Sequence, residues 1–223
     1  MFARESARLC EILLAEGAVS PLLNLGSSDA RFREEAKPHI EALLFAPLRS
    51  AGVAIVHADL RDAPGVDLAG DILDPAVQAR LAAMRFRCVL IANMLEHVRD
   101  RAAVAAACEA IAGPGGLILA TAPSSFPFHA DPLDSGYRPA PAALAALFAG
   151  CEPLLTEEVE GETYRAQLRA RGESVFAALL RTALWGLAVP LRPKSARARF
   201  DRWRWYRRPY RVSVALLRVR KSS

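Results

Sequence analysis

Cysteine is scarce in this chain of 223 residues, and the four cysteines that occur do not form a motif. They are Cys10, Cys88, Cys108 and Cys151. No two of them stand at the short spacing that zinc sites and dithiol redox sites use, so we expect no metal. Cys88 and Cys108 lie inside apolar runs, which predicts buried free thiols. Free thiols favour a reducing compartment and therefore a cytoplasmic location.

Long uninterrupted apolar runs are also missing. The segment from Met1 to Leu14 carries four charges and lacks the apolar region of a secretory signal. The most membrane-like stretch, 175–191, is short, contains Arg181 and is interrupted by Pro190. We therefore expect no transmembrane helix. With 52% apolar and 24% charged residues, the composition is that of a globular chain with room for one large domain.

Charge is divided unevenly along the chain. Residues 1–160 hold 13 lysines and arginines against 21 acidic residues, whereas residues 161–223 hold 16 against 3. An acidic body is therefore followed by a strongly basic segment. Such a segment implies an acidic partner, which could be a membrane surface, an anionic substrate or nucleic acid.

Short apolar runs alternate with helical patterns along most of the chain. The runs that predict strands are 22–25, 53–59, 66–71, 88–92, 117–122, 153–159 and 211–220. The patterns that predict helices are 4–16, 31–50 (one helix, or two broken at Pro38 or Pro47), 75–84, 101–112 and 142–148. This alternation predicts right-handed crossovers and an α/β fold whose parallel sheet is covered on both faces.

Candidate ligand-binding residues follow the first three strands, because open α/β sheets bind ligands outside the carboxyl ends of their strands. Gly26, in the segment 24–29, lets the backbone approach a ligand, although an ordinary strand-to-helix turn has the same composition. Asp59 ends the second strand, where a carboxylate can accept both hydroxyls of a ribose or act as a surface or capping residue. Asp71 follows the third strand and could accept from an adenine amino group.

The fourth strand ends in Asn93-Met94-Leu95-Glu96-His97-Val98, where an apolar run changes abruptly into a polar loop. Together with the three earlier strand ends, this segment resembles the class I S-adenosylmethionine-dependent methyltransferases of the type 11 sort. The loop at 122–139 is similar to a loop of a bacterial subgroup of that family. The resemblance covers about residues 20–160 and 210–220.

The resemblance implies a Rossmann-like three-layer sandwich with a seven-stranded, mostly parallel sheet and an antiparallel last strand. We assign 1–160 and 211–223 to this methyltransferase domain. The stretch 161–210 is too long for an ordinary connection, and we predict that it is a basic, aromatic-rich helical insertion.

The implied cofactor is S-adenosylmethionine, and its expected contacts fall into four groups. Its methionine and ribose would be lined by Asn24, Gly26, Ser27 and Ser28. Asp59 would hold the ribose hydroxyls, and Asp71 and Ile72 would face the adenine. The floor beneath the sulfonium would be Asn93, Met94 and Leu95.

The first loop departs from the family pattern, which begins with an acid and has three alternating glycines. Here Asn24 replaces the acid, Gly26 is kept, and Ser28 and Ala30 occupy the other two glycine positions. Cofactor binding would then be weaker, or rearranged with the hydroxyls of Ser27 and Ser28 in compensation. A non-catalytic relative that serves as a binding or scaffold protein is the alternative.

A general base with a pKa near neutrality would help an alcohol or amine acceptor. The candidates are His97 and His129, with Asp131 and Asp134 as the candidate residues that orient the base. The structural alternatives are that His97 only shapes its loop, and that His129 and Asp131 brace a proline-rich lid together with Arg138.

The segment 175–210 combines an apolar helical stripe with arginines that alternate with tryptophan and tyrosine. This combination is typical of an anionic membrane interface. Two alternatives are a grip on single-stranded nucleic acid and a helical lid whose arginines pair with the acidic body. Nucleic acid is the less favoured partner because no RNA-binding signature is present.

We therefore expect methyl transfer to a small-molecule or glycan-type acceptor, in the cytoplasm or at the inner face of the membrane. An RNA methyltransferase is a further alternative. The loop after the fourth strand lacks the Asn/Asp-Pro-Pro-aromatic pattern typical of methylation of base amino groups, which counts against it.

Overall fold

A computed structural model describes residues 1–128, 134–186 and 193–221. Seven strands lie in these residues: β1 (Leu22–Leu25), β2 (Ile55–Asp59), β3 (Leu68–Ala69), β4 (Cys88–Ala92), β5 (Leu117–Ser125), β6 (Cys151–Thr163) and β7 (Pro209–Val219). They form one sheet in the order β3-β2-β1-β4-β5-β7-β6. The first five pair in parallel, and β7 is antiparallel to both β5 and β6. This confirms the predicted sheet with its reversed last strand.

The helices of the described residues are α1 (Ala3–Glu16), α2 (Pro38–Ile40), α3 (Ala46–Ser50), α4 (Pro75–Ala83), α5 (Arg101–Ala112), α6 (Pro141–Ala146), α7 (Tyr164–Ala170), α8 (Val175–Gly186) and α9 (Pro193–Asp201). Two π-helical turns, Phe32–Ala36 and Glu41–Phe45, flank α2. The predicted helix over 31–50 is thus divided into short segments. Its main interruption is Lys37, which leaves helical geometry (φ −136°) because a proline follows it.

Two hydrophobic layers cover the sheet. On one face, alternate strand residues such as Leu23 and Ile91 pack against α4, α5 and α6. On the other, Leu22 and Leu90 pack against α1 and the helical segments before β2. Burial on both faces accounts for the continuous apolar runs of the parallel strands. All four cysteines are buried and free, which confirms the prediction for Cys88 and Cys108.

The third strand is shorter than predicted. Only Leu68–Ala69 pairs with β2, at the edge of the sheet. Just before it, the carboxylate of Asp67 accepts the backbone N–H of His57 at 2.7 Å, so a side chain takes the place of a ladder hydrogen bond. The fifth strand is longer than predicted, since its pairing with β7 continues to Ser125.

The chain between β6 and β7 forms α7, α8, α9 and a 3₁₀ turn (Arg202–Trp205). These segments enclose a third, smaller core of Tyr164, Leu168, Ala178, Trp205 and Tyr210. The indole N–H of Trp205 donates to the Ser125 hydroxyl at 3.0 Å, which ties this core to the end of β5. Among the residues that the structure describes, no helix has the length and apolar character needed to cross a membrane.

Candidate active site

A cleft of about 260 Å³ lies at the carboxyl ends of β1, β2, β3 and β4. Parallel strands deliver their following loops to the same edge of the sheet, which is why distant residues meet there. The cleft is lined by Leu25, Gly26, Asp59, Leu60, Gly70, Asp71, Ile72, Leu73, Met94, Val98, Arg99, Asp100 and Val104. Its walls are mainly apolar, and they carry acidic groups at the ends of β2 and β3.

Asp59 connects the ends of β1 and β2. Its Oδ2 accepts the backbone N–H of Ser28 at 2.8 Å, and its Oδ1 accepts that of Arg61 at 3.2 Å. An ionised carboxylate offers about four acceptor positions, so both oxygens can still accept from a ligand. The side chain is half-buried at the cleft wall, where a vicinal pair of hydroxyls could reach it.

The loop after β1 is held from outside by a buried arginine. Arg33 donates to the carbonyl oxygens of Ser27 (3.1 Å) and Ser28 (2.6 Å) and also to that of Gly65 (2.7 Å). Ser28 has a left-handed backbone (φ 56°), which costs a non-glycine residue about 1–2 kcal/mol. The contacts from Arg33 and Asp59 stabilise that conformation. The hydroxyl of Ser27 donates to the Ser28 carbonyl oxygen rather than into the cleft.

Gly26 needs to be glycine for two reasons. Its φ is +71°, and a Cβ added there would lie 2.8 Å from Sδ of Met94 on the opposite wall. The two residues therefore narrow the cleft at a point where the backbone of Gly26 itself forms the surface.

We expect Gly26→Ala to destabilise the fold by about 1–3 kcal/mol and to lower affinity for a ligand in the cleft. Urea unfolding and calorimetric titration measure the two effects. Gly17→Ala is the matched control, because Gly17 has a similar φ (+68°) with nothing within 4 Å of the added Cβ. If Gly26→Ala costs no more than Gly17→Ala, the close approach to Met94 is unimportant.

Asn24 lies beside the cleft and turns its side chain to the neighbouring strand. Its amide donates to Nδ1 of His57 at 3.0 Å, and both residues are buried. Burial, with Arg33 nearby, lowers the pKa of His57 to about 4, so the ring is neutral at pH 7 and Nδ1 is free to accept. Phe45 packs edge-on against the same ring. Asn24 is the residue that replaces the acid of the resembled pattern, and its amide is held by this hydrogen bond.

Helix α1 contacts the carboxyl end of β4 and the middle of β5 through one buried carboxylate. Oε1 of Glu5 accepts from the side-chain amide of Asn93 (2.6 Å) and from the hydroxyl of Thr121 (3.0 Å). Its Oε2 accepts the backbone N–H of Phe2 at 3.2 Å. Asn93 itself is left-handed (φ 50°), so the chain turns sharply just before Met94 enters the cleft wall.

Glu96 is an unusual carboxyl group just past that wall. Its side chain is 3% exposed, and Oε2 has no hydrogen-bond partner within the described residues. Oε1 lies 3.7 Å from Nε2 of His97. Burial raises the pKa of Glu96 to about 7, and Arg138 opposes this rise. The backbone oxygen of Glu96 accepts from both the N–H and the hydroxyl of Ser135, so the loop that begins at 134 packs against it.

The cleft wall brings together five of the residues singled out in the sequence: Gly26, Asp59, Asp71, Ile72 and Met94. The backbone of Ser28 joins them through Asp59. The other candidates do not line the cleft: Asn24 and Ser27 make local hydrogen bonds, Asn93 binds Glu5, and Leu95 lies in the core. His97 is beside Glu96, and His129 and Asp131 lie outside the described residues.

Arg33 and Glu5 are structural residues of the site that sequence reasoning missed. Arg33 stands among the charged residues Glu34 and Glu35, a pattern typical of a solvated helix face. Glu5 lies in a charged first helix whose docking position no local pattern records. Neither residue carries a signal that separates it from ordinary surface charge.

Several solved structures are similar to this fold. Neither protein-family models nor curated proteins gave a match. A provisionally assigned sarcosine dimethylglycine methyltransferase from Galdieria sulphuraria is similar with a TM-score of 0.57 and 14% identity, over 99% of this chain and 86% of that chain. An S-adenosylmethionine-dependent methyltransferase from Archaeoglobus fulgidus is similar with a TM-score of 0.52 and 12% identity, over 96% of this chain and 92% of that chain. The N-methyltransferase NodS from Bradyrhizobium japonicum WM9, in complex with S-adenosylhomocysteine, is similar with a TM-score of 0.50 and 14% identity. The similarity covers 97% of this chain and 86% of that chain.

At these identities the likeness shows the fold. The chain has the fold of the class I S-adenosylmethionine-dependent methyltransferases, which confirms the resemblance at that level. The cleft described above lies at the edge of the sheet where open α/β sheets bind their ligands.

Proposed function

We propose that this protein transfers a methyl group from S-adenosylmethionine to a small-molecule acceptor. The observation that carries the proposal is the cleft at the carboxyl ends of β1 to β4, where Asp59 and Asp71 face an apolar slot. A nucleoside has the matching chemistry, because its ribose and amino group donate hydrogen bonds while its base is flat and largely apolar on both faces.

The residues present fit such a cofactor. Asp59 keeps acceptor positions free for ribose hydroxyls, and Ile72 and Leu73 offer apolar surface for adenine beside Asp71. Gly26 and Met94 form the narrow part of the cleft, where a side chain on Gly26 would fill the space. When bound, S-adenosylmethionine supplies a methyl group activated by its sulfonium, and the protein contributes position and electrostatics.

The proposed acceptor is a small molecule because one protein of similar fold is described by acceptors of that kind. That protein is described as a sarcosine dimethylglycine methyltransferase, and another as an N-methyltransferase. A glycan-type acceptor is the narrower version of the proposal, and it rests on the resemblance of the loop at 122–139.

A non-catalytic binding protein is the second candidate, and one observation favours it. The family's first loop carries an acid at the position of Asn24, whereas here the amide is committed to His57. A binding protein could dispense with the contact that an acid normally makes to the methionine end of the cofactor.

Calorimetric titration with S-adenosylmethionine and S-adenosylhomocysteine tests both candidates, followed by measurement of S-adenosylhomocysteine release with a panel of amine and alcohol acceptors. Binding with turnover supports the enzyme. Binding without turnover on any acceptor favours the binding protein, and failure to bind either nucleoside overturns both.

His129→Ala is expected to leave cofactor affinity unchanged and to slow turnover by about 10²–10⁴-fold, the usual contribution of a general base. His97→Ala is the companion variant, because His97 is the other candidate base. Steady-state rates as a function of pH identify which histidine is the base, because only its replacement removes the rise of the rate with pH that a general base causes. If neither variant slows turnover, the acceptor is methylated without a histidine base.

We further propose that segment 175–210 makes peripheral contact with an anionic membrane surface. Residues 175–210 contain nine basic residues and one acidic residue. Each basic residue near an anionic surface contributes about 1 kcal/mol, so a segment of this composition binds such a surface appreciably.

A further inference from the structure

Helix α8 presents its apolar side to solvent. Phe176 is 77% exposed, Leu180 is 52% exposed and Leu184 is 57% exposed. Leu179 lies beside them and is also exposed. The spacing i, i+3, i+4, i+8 places these four side chains, the apolar face of α8, on one side of the helix. A helix on a water-soluble surface normally has the opposite arrangement.

The orientation of α8 is set by the buried side of the helix, where Thr182 and Ala178 point inward. The hydroxyl of Thr182 is buried and accepts from the indole N–H of Trp203 at 3.0 Å. Ala178 lies fully buried one turn earlier on the same side. Arg181, the single charged residue of α8, forms an ion pair with Glu173 at 2.5 Å. Rotating the helix to hide its leucines would break these contacts.

Exposed cations lie on the elements that pack beside α8. Arg197 is exposed on α9, Arg204 is exposed on the 3₁₀ turn that follows, and Arg207 and Arg208 are exposed in the bend between that turn and β7. Within the described residues, Asp201 is the only acidic residue that forms an ion pair with one of these four arginines. Its carboxylate lies 3.4 Å from the guanidinium of Arg204. Arg199 stacks on Trp185 of α8 at 4.3 Å, so α9 holds its cations next to α8.

Charge decides which partner suits this surface. A second copy of the chain would bring the same excess of arginines against itself, and the like charges would repel. An anionic bilayer offers both of the environments required: an acyl boundary for leucine and phenylalanine, and phosphate headgroups for arginine.

We propose that the apolar face of α8 inserts into the interface of an anionic lipid bilayer while the arginines of α9 and the following turn contact the headgroups. The proposal rests on the peripheral membrane contact proposed above and identifies the face that makes it. It does not depend on what the cleft binds.

Flotation of the full chain with vesicles tests this orientation. The vesicles are phosphatidylcholine alone, or equal parts of phosphatidylcholine and phosphatidylglycerol. The protein should float with the mixed vesicles and remain below with the neutral ones. Leu180→Asp combined with Leu184→Asp should lower partitioning by about tenfold or more, because both apolar contacts are lost. Arg207→Gln combined with Arg208→Gln should lower it by about 30-fold, the effect of two surface charges.

Leu14→Asp is the matched control, since Leu14 is an exposed leucine on α1, and it should float like the unmodified chain. The aspartate pair replaces exposed residues, so it should fold and should bind the cleft ligand with unchanged affinity. If the unmodified chain never floats, both the peripheral contact and its face are overturned. If it floats and the aspartate pair floats equally well, the contact stands and the α8 face is overturned.

Two further outcomes contradict the proposed occupant. Equal flotation with neutral vesicles would remove the role of the arginines. Self-association in the absence of vesicles, abolished by the aspartate pair in sedimentation experiments, would show that a second copy covers the face instead.

Discussion

Asp59→Ala is expected to lower the affinity for S-adenosylmethionine by about a hundredfold or more. In the proposed function the carboxylate accepts two ribose hydroxyls, and hydrogen bonds to a charged group contribute about 1.5–3 kcal/mol each. The substitution also removes the acceptor for the backbone N–H of Ser28, so the loop after β1 loses one of its anchors. Calorimetric titration of the purified variant measures the loss.

Two controls separate ligand contact from loop support. Asp59→Asn keeps one oxygen for the N–H of Ser28 but loses the charge and the second acceptor oxygen, so it should bind poorly while the loop remains ordered. Asp62→Ala removes a nearby exposed carboxylate and should bind normally. An unchanged affinity in Asp59→Ala would refute the ribose assignment.

Glu96→Gln is expected to stabilise the protein more at pH 8 than at pH 5, by about 2 kcal/mol. Burial raises the pKa of the folded carboxyl from 4.5 to about 7. Between these values the folded state holds a proton that the unfolded state has released, so stability falls as pH rises through this window. Above pH 7 both states are ionised and the full cost of the buried charge remains. Glutamine does not titrate and carries no such cost.

Urea unfolding at the two pH values measures this difference. Glu34→Gln is the control, since it makes the same substitution at an exposed carboxyl. The groups that act on Glu96 are Arg138, Asp134 and the α-amino group of Met1. An equal effect of Glu96→Gln at both pH values would mean that the carboxyl is charged in the folded protein throughout and has a partner that stabilises it.

The sheet and the cleft were predictable because both depend on local patterns. Apolar runs separated by helical patterns predict parallel strands, and parallel strands send the residues that follow them to one edge. The sequence alone therefore groups Gly26, Asp59 and Asp71, although they are widely separated along the chain.

The contacts that support the cleft were not predictable because they depend on register and docking. Asn24 meets His57 only because Leu22 of β1 aligns with Ile55 of β2, and no local pattern gives that register. Glu5 meets Asn93 and Thr121 across 88 and 116 positions of sequence, which requires α1 to settle over the strand ends. Nor does composition alone reveal that α8 packs with its hydroxyl inward and its leucines outward.

The guanidinium of Arg33 links two loops beside the cleft. It donates hydrogen bonds to the carbonyl oxygens of Ser27 and Ser28, in the loop after β1, and of Gly65, in the connection between β2 and β3. These shared hydrogen bonds couple the positions of the two loops. If the cleft binds a nucleoside as proposed, the ligand meets a preorganised surface at Asp59, and little conformational entropy is lost when it binds. In this chain a side chain from a neighbouring helical turn gives the loop a rigidity that does not depend on glycine at position 28.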